Sequence, residues 1–343
     1  MSQYPEKIKN SLWGLAPVAP LHFGYDALIN AQRQLITDGY KHTVLLADNH
    51  AMLTHNYSWE EIDQRCTYYG IYLRHFCKLD CIVKRGSSFQ SRADYTDLLY
   101  SSLQSIPLNK AKNSLAQASK RSGLSSLKVA SYVYGIMQAI DGIYLGSDLI
   151  FAERSQEKIY NLTQELDQMI DHNDNYNLNS IQKKIHFGLA QDYRYIESSH
   201  DTKGLPLNQS NSSTRITLHE SKESLRWKIQ KMFAPPANQT MPEGRINALH
   251  EFFKHSVFPW VKDVQIQSVN GEILKINDYK HYKELYDSDI IHPSDCKNTL
   301  FNVLMSRIEE FNTIIGAGLC QWVDLDIVRA NNKRKAILKE EII

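Results

Sequence analysis

The sequence predicts a doubly wound α/β domain, a parallel sheet flanked by helices, followed by an all-helical C-terminal domain. Residues 41–48, KHTVLLAD, form an apolar run closed by an acid, the pattern of a buried parallel strand. A second short run, CIVKRGSS at 81–88, follows after one amphipathic stretch, and strands alternating with helices over short links build parallel sheets. Beyond residue 220 the apolar positions fall at helical spacing in KESLRWKIQKMF, in INALHEFFKHSVF and in a final run from Ser294 to Ile315. A chain of 343 residues holds about two domains of ordinary size, and Pro235, Pro236 and Pro242 interrupt it near the junction. The expected division is 1–225 and 226–343.

In chain order, Gly14 and Pro17 precede PLHFGYD at 20–26, a glycine-containing turn that feeds the amphipathic stretch ALINAQRQLI. Such a turn can hold a phosphate, because backbone N–H groups and the helix dipole converge there; a plain turn accounts for it equally. After the first strand, Ser58 and Glu61 form a capping box, and Ile62, Cys66 and Leu73 give the following helix its apolar face. From about 100 to 175 the pattern is helical, after which Asn-rich residues 172–180 and polar residues 199–214 are expected to be loops, the latter mobile. No internal repeat, G-x-G-x-x-G fingerprint or P-loop is present.

Composition narrows the class further. Hydrophobic residues make up 42% and charged residues 22%, and 39 Lys+Arg against 38 Asp+Glu leave a charge of +1. That balance gives no whole-chain electrostatic case for nucleic acid. No apolar run is long enough to cross a membrane, and the opening MSQYPEKIKN lacks the apolar core of a signal peptide. Cys77 and Cys81 form a C-x3-C without a second Cys/His pair nearby, so Cys66, Cys77, Cys81, Cys296 and Cys320 read as reduced thiols, with no metal site expected. The expected compartment is the cytoplasm.

The most informative stretch is YVYGIMQAIDGIYLGSDLIF at 132–151. On a helix, Tyr134, Gln138 and Asp141 fall at i, i+4 and i+7 and share one face. Each requires a partner when buried, so the stripe reads either as a polar ligand pocket or as a solvated face; the flanking Ile136, Met137, Ile140 and Ile143 weigh against solvation. HPSDCK at 292–297 opens the last helix with a proline and polar capping residues, for which capping alone is a sufficient account.

Together these pieces resemble the tyrosyl-tRNA synthetases of the archaeal/eukaryotic type, a class I family. GLAPVAPLHFGY at 14–25 stands in register with a signature that reads approximately GFEPSGxIHLGH. LLADNHAML (45–53), GSSFQ (86–90) with DYT (94–96), YGIMQAIDGIYLGSD (134–148) and IHPSDCKN (291–298) follow in the family's order. The resemblance implies a class I synthetase Rossmann-like parallel sheet, a helical dimerisation insertion at about 100–135, a helical anticodon-binding-like domain and a homodimer. It further implies that Tyr134, Gln138 and Gln156 hold a substrate α-amino group and that Asp141 accepts the phenol proton of a tyrosine. Leu12 stands where the family has a second, tyrosine reader of the phenol, and Asp48, His50 and Gln90 match further positions of the amino-acid site.

The nucleotide signatures depart from the family. Of the HxGH tetrad His22 and Gly24 remain, with Tyr25 in place of the second histidine, and His22 and Tyr25 are the candidates for proton transfer. The lysine-bearing second signature falls at 207–212, LNQSNS, where neither lysine survives, and Ser155 stands in place of the acid that grips the ribose. Those lysines neutralise developing charge, and losing one such donor costs roughly 2.7–4 kcal/mol. His292 and Asp295 match residues that read the first anticodon base, while the stacking aromatic is replaced near Val269. Lys297, Arg307, Arg329, Lys333, Arg334 and Lys335 could contact phosphates or form a solvated basic face. The expected function is a synthetase-like protein that binds a tyrosine-like amino acid and is repurposed for specialised amino-acid or peptide chemistry, with an aminoacyl-tRNA as a candidate partner and ATP use impaired. A tyrosine–tRNA ligase with degenerate signatures and a non-catalytic binding regulator are the alternatives.

Overall fold

The computed structural model of the protein describes residues 9–115, 128–172, 192–196, 200–205, 214–237, 239 and 241–316. The chain divides into two compact units, the first formed by Met1–Val18, Gln32–Gly70 and Lys78–Glu197, the second by Ala19–Ala31, Ile71–Cys77 and Ser198–Ile343.

The first unit is built on a five-stranded sheet in the order β3-β2-β1-β4-β5. Its strands are β1 (Asn10–Leu15), β2 (Lys41–Leu46), β3 (Ile82–Arg85), β4 (Leu149–Glu153) and β5 (Asp192–Ile196). Every pairing is parallel; β1 pairs with β2 from Asn10↔Lys41 to Leu15↔Leu46 and with β4 at Leu12↔Ile150. The expected strand at 41–48 is therefore central and parallel, but it ends at Leu46 because Asp48 opens α2 (Asp48–Thr54). The run at 81–88 likewise becomes a short strand and then a tight turn at Gly86–Ser88. The capping box forms as expected: Ser58 N donates to Glu61 Oε2 at 2.9 Å and Glu61 N to Ser58 Oγ at 3.1 Å, starting α3 (Trp59–Ile71). Helices α4 (Ala93–Ser105), α5 (Leu108–Ser114), α6 (Val129–Tyr144) and α7 (Glu157–His172) complete this unit. The apolar side of α6 packs into a core with Leu12, Phe89, Tyr95, Leu98, Ile136 and Ile140.

The second unit carries α8 (Lys222–Gln230), α9 (Ala248–Phe252), α10 (Tyr279–Asp287) and the long α11 (Pro293–Ile315). Among its described residues these helices are joined by an antiparallel hairpin of β6 (Val264–Gln267) and β7 (Ile273–Ile276). The sequence holds a signal for it: VQIQ alternates buried and exposed, and Asn270 and Gly271 occupy the connection, with Gly271 at φ +85° where L-residues are disfavoured.

The unit boundaries differ from a simple cut at 225, and a buried ion pair shows why. Arg307 Nη1 donates to Asp26 Oδ2 at 2.6 Å and Nη2 donates to Asp26 Oδ1 at 3.0 Å, with Ser256 O taking a further bond at 2.9 Å. Asp26 lies in the first turn of α1 (Tyr25–Thr37), so this early segment packs with C-terminal helices. The guanidinium lies 3.8 Å from the Trp260 ring centroid and 5.5 Å from that of Phe76, which meets Phe311 edge-on in the same unit. Arg307 is thus a buried core residue, neither a phosphate contact nor part of a solvated basic face. Lys297 is committed as well, donating to the carbonyls of Gln230 and Met232 at 3.1 and 2.8 Å. Arg329, Lys333, Arg334, Lys335 and Cys320 lie outside the described residues, as does the segment 207–212.

Removing one partner of a buried pair strands the other charge, at a typical cost of about 3–5 kcal/mol. Asp26→Ala should therefore lower the urea midpoint strongly. Asp26→Leu combined with Arg307→Met should recover most of the loss, which equilibrium unfolding of the single and double variants measures directly.

Candidate functional site

Helix α6 presents Tyr134, Gln138 and Asp141 as the sequence spacing implies, and the first unit gathers most of the expected amino-acid-site residues around them. Asp141 is buried, and its Oδ1 accepts from Gln90 Nε2 at 2.8 Å and from Tyr95 OH at 2.7 Å. Its Oδ2 faces His50 Nε2 at 3.6 Å, beyond hydrogen-bond length. The Tyr134 ring meets the His50 ring edge-on at 4.8 Å between centroids. Gln138 Nε2 donates to Gln156 Oε1 at 3.2 Å and to Tyr160 OH at 3.3 Å, leaving Gln138 Oε1 buried without a hydrogen bond. Gln90 Oε1 and both His50 ring nitrogens are likewise buried and unbonded. Unpaired polar atoms in an apolar setting are expensive unless a ligand or water completes them.

The electrostatics of the cluster follow from burial. Desolvation pushes the Asp141 carboxyl up to about 7, against the pull of the Gln90 and Tyr95 hydrogen bonds. Desolvation also lowers His50 to about 4, with Asp48 opposing it, so His50 is neutral and supplies no cation to Asp141. Tyr134 is raised to about 12 by burial and the Asp141 charge. The result is an acid poised near neutrality among neutral groups.

Two expected site residues play different parts. Asp48 is completely buried and its acceptors are filled: Arg85 Nε donates at 2.9 Å, Ser87 N at 2.8 Å, Ser87 Oγ at 2.6 Å and Asn49 N at 2.9 Å. It shapes the Gly86–Ser88 turn that delivers Gln90, where a Cβ on Gly86 would sit 2.4 Å from Gln90 Oε1. Asp48 is therefore a positioning residue and has no free acceptor for an amino acid. Leu12 is 3% exposed and packs in the same apolar cluster as Tyr95, one residue away from the Asp141 carboxylate through the Tyr95 hydroxyl. The sequence pattern alone does not single out Tyr95 or Tyr160, although Tyr95 belongs to the DYT block and Tyr160 follows Gln156 at helical spacing.

The second unit holds the other candidates. The turn at 21–23 runs antiparallel to residues 216–218: Phe23 N donates to Ile216 O at 3.0 Å, Leu218 N donates to Leu21 O at 2.9 Å, and His22 pairs with Thr217. His22 stacks on Tyr25, the first residue of α1, at 4.5 Å between centroids. It is 8% exposed with Nδ1 unbonded, and burial first, then the Arg215 charge, lowers it to about 3. At neutral pH so weakly basic an imidazole is uncharged. Glu220 and Lys228 pair with each other, and Lys228 Nζ also holds the Arg215 carbonyl at 2.7 Å.

His292 caps α11, its Nδ1 accepting from Ser294 N at 3.2 Å, so the capping account of this motif holds in the structure. Asp295 lies in the first turn of that helix, partly exposed, and Val269 is 58% exposed.

A parallel sheet in this order, with a polar cluster on the helix preceding the fourth strand, is a class I synthetase arrangement, and the comparisons agree. Residues 7–309 match the family described as tRNA synthetases class I (W and Y), and the chain belongs to that family. Its curated relatives include a tyrosine–tRNA ligase of Methanospirillum hungatei, 29% identical over 295 residues that cover 85% of this chain and 86% of that one. A probable cytoplasmic tyrosine–tRNA ligase of Encephalitozoon cuniculi is 26% identical over 341 residues, covering 94% and 90%. Among solved structures, a tyrosyl-tRNA synthetase of Archaeoglobus fulgidus complexed with L-tyrosine superposes with a TM-score of 0.74 at 22% identity, covering 91% of each chain.

The raised Asp141 carboxyl makes a prediction with a definite sign. Between pH 4 and its value of about 7 the folded protein keeps a proton that the unfolded chain releases, so the stability it contributes is full at the acid end and falls as pH rises through that window. Asp141→Asn keeps an acceptor for Gln90 and Tyr95 but cannot ionise. Its Tm relative to the native protein should therefore climb from pH 5 to pH 8, with a ceiling on the order of 4 kcal/mol, read by calorimetric unfolding at each pH.

Proposed function

We propose that this synthetase-like protein is an enzyme that binds a tyrosine-like amino acid and works in specialised amino-acid or peptide chemistry, with an aminoacyl-tRNA as its candidate partner and ordinary ATP activation impaired. One observation carries the reading: the Asp141 carboxylate is already engaged on Oδ1 by Gln90 and Tyr95, while Leu12 occupies the place of the second phenol reader. A phenol entering this site would find one free carboxylate oxygen and an apolar wall, so the side-chain end favours a donor-bearing group of a shape other than tyrosine's. Tyr134, Gln138 and Gln156 supply the polar set for an α-amino group, and Gln138 Oε1, buried without a bond, is an acceptor suited to an ammonium N–H.

The loss of ATP contacts has a chemical consequence. From Gly204 to Thr214 the sequence contains no Lys or Arg, so no cation from that segment meets a departing pyrophosphate. An aminoacyl ester already stores the activation energy. An incoming amine or hydroxyl attacks the acyl carbon, the ester C–O bond breaks, and the proton lost by the nucleophile passes to the departing hydroxyl, with no nucleotide consumed. Homodimer formation is part of this reading, supported by Tyr100, Leu103 and Leu108, which lie exposed on α4 and at the start of α5. A cytoplasmic location is supported by the description of the E. cuniculi relative.

A second reading, a tyrosine–tRNA ligase, is favoured by the retained Tyr134–Gln138–Gln156 set and by the names of the relatives. Tyrosine-dependent ATP–pyrophosphate exchange separates the two. The expected result is no exchange above background, since one missing donor removes a factor of about 10²–10³; robust exchange establishes the ligase.

Restoring the family residue by Leu12→Tyr should tighten L-tyrosine by about tenfold, and Asp141→Ala should weaken every amino acid bound. Calorimetric titration of both variants reads this, and an unchanged tyrosine affinity in Leu12→Tyr would show that residue 12 does not face the ligand.

A further inference from the structure

His50 and Asp141 face each other in the first unit with hydrogen-bonding capacity that the described residues do not use. Asp141 Oδ1 has two donors, Gln90 and Tyr95, whereas Oδ2 accepts from none of the described residues. His50 is 1% exposed, and neither of its ring nitrogens has a hydrogen bond. Its Nε2 stands 3.6 Å from Asp141 Oδ2, too far to bond it. One ligand atom between them can still lie within hydrogen-bond distance of both. The depth of this pair in the pocket is also fixed. Tyr134 and Asp141 are seven residues apart on α6, so about 10 Å of helix separates them. His50 spans that interval, its ring meeting Tyr134 edge-on at 4.8 Å between centroids while Nε2 faces Asp141. Leu12 closes the Asp141 end: its Cδ2 lies 3.7 Å from where a Cβ on Gly142 would stand. The tip of the pocket is thus apolar, and the unused polar atoms lie along its flank.

We propose that His50 and Asp141 together read a hydroxyl at the meta position of a phenyl ring, and that the amino acid taken here is a meta-hydroxylated phenylalanine. A neutral imidazole donates from one nitrogen, and the carboxylate beside Nε2 favours the tautomer with its proton there. An atom placed between the two must accept from the imidazole and donate to the carboxylate. A hydroxyl does both, whereas an ammonium or an indole N–H cannot accept and an ether cannot donate. With the α-ammonium at Gln138 Oε1, a para-hydroxyl points along the pocket toward Leu12, where no second polar group meets it. A meta-hydroxyl turns to the flank, where His50 stands. His50 is then the specificity-determining residue, and Leu12 rejects the para-hydroxyl by leaving it half-paired. The substrate class so named rests on the proposed function, which places the α-amino group on the Tyr134, Gln138 and Gln156 set. Two amino acids share the chemistry, meta-tyrosine and the catechol 3,4-dihydroxyphenylalanine.

The test is calorimetric titration of L-phenylalanine, L-tyrosine, L-meta-tyrosine and L-3,4-dihydroxyphenylalanine into the native full-length protein, His50→Leu and His50→Gln. Circular dichroism and Tm verify that each variant is folded; if His50→Leu is not, His50→Asn replaces it, since its amide matches Nδ1 and not Nε2. At least one meta-hydroxylated ligand should bind the native protein about tenfold or more tighter than L-tyrosine. That preference should disappear in His50→Leu and return in part in His50→Gln, while L-phenylalanine binds all three proteins alike. A preference confined to one of the two meta-hydroxylated ligands identifies which of them the pocket takes. The proposal is overturned if neither exceeds L-tyrosine by about tenfold, if His50→Leu keeps the preference, or if His50→Leu weakens L-phenylalanine as much as the others. Failure of the proposed function reads differently. If L-phenylalanine binds and Gln138→Ala abolishes that binding, the amino-acid pocket stands even where no meta preference is found; if none of the four amino acids binds, both readings fall.

Discussion

The bidentate contact between Arg307 and Asp26 fixes the geometry on which the second unit depends. It ties the first turn of α1 to the middle of α11 across 281 residues of sequence, and it does so in a pocket closed by Trp260, Phe23 and Phe76. With Asp26 held there, the turn at 21–25 has a defined position, and residues 216–218 can run along it. His22 is buried by that pairing, and Arg215 is brought beside it. A buried ion pair of this kind is weak as a source of net stability but intolerant of losing one member, so it acts as a constraint on position more than as a cohesive term.

In the first unit the comparable role belongs to the Asp141 carboxylate. Three elements converge on it: α6 carries it, the turn organised by Asp48 delivers Gln90, and α4 delivers Tyr95. Because His50 is neutral, no positive charge offsets the burial of Asp141, and the carboxyl rises toward neutrality. A site whose key acceptor is half-committed to protein donors discriminates by shape and by the number of donors its ligand offers. The family's tyrosine in place of Leu12 would add a donor to that end; leucine adds only apolar surface.

The two signature regions stand differently against the family pattern. Tyr134, Gln138 and Gln156 keep the residues of the family pattern, while residues 207–212 contain no lysine.

Periodicity and local capping were legible without coordinates. The run at 41–48 read as a buried parallel strand because Val44 to Ala47 are apolar without a break, as a strand covered on both faces requires, and Ser58 with Glu61 had to start a helix because the two satisfy each other's backbone donors. The shared face of Tyr134, Gln138 and Asp141 follows from the helical repeat. The hairpin at 264–276 was legible too, in its alternation and its Asn-Gly turn, but it lay between strong helical runs that dominated the pattern. Partnership over long distances was not legible. Arg307 reads as one more basic residue on a terminal helix, and only the fold shows that Asp26 closes on it. Asp48 reads as a pocket acid, and only its four donors show it to be full. Local sequence encodes which face a residue shares with its neighbours, whereas charge pairing and burial depend on residues far away in the chain, and these decide whether a polar group is spent on the protein or left for a ligand.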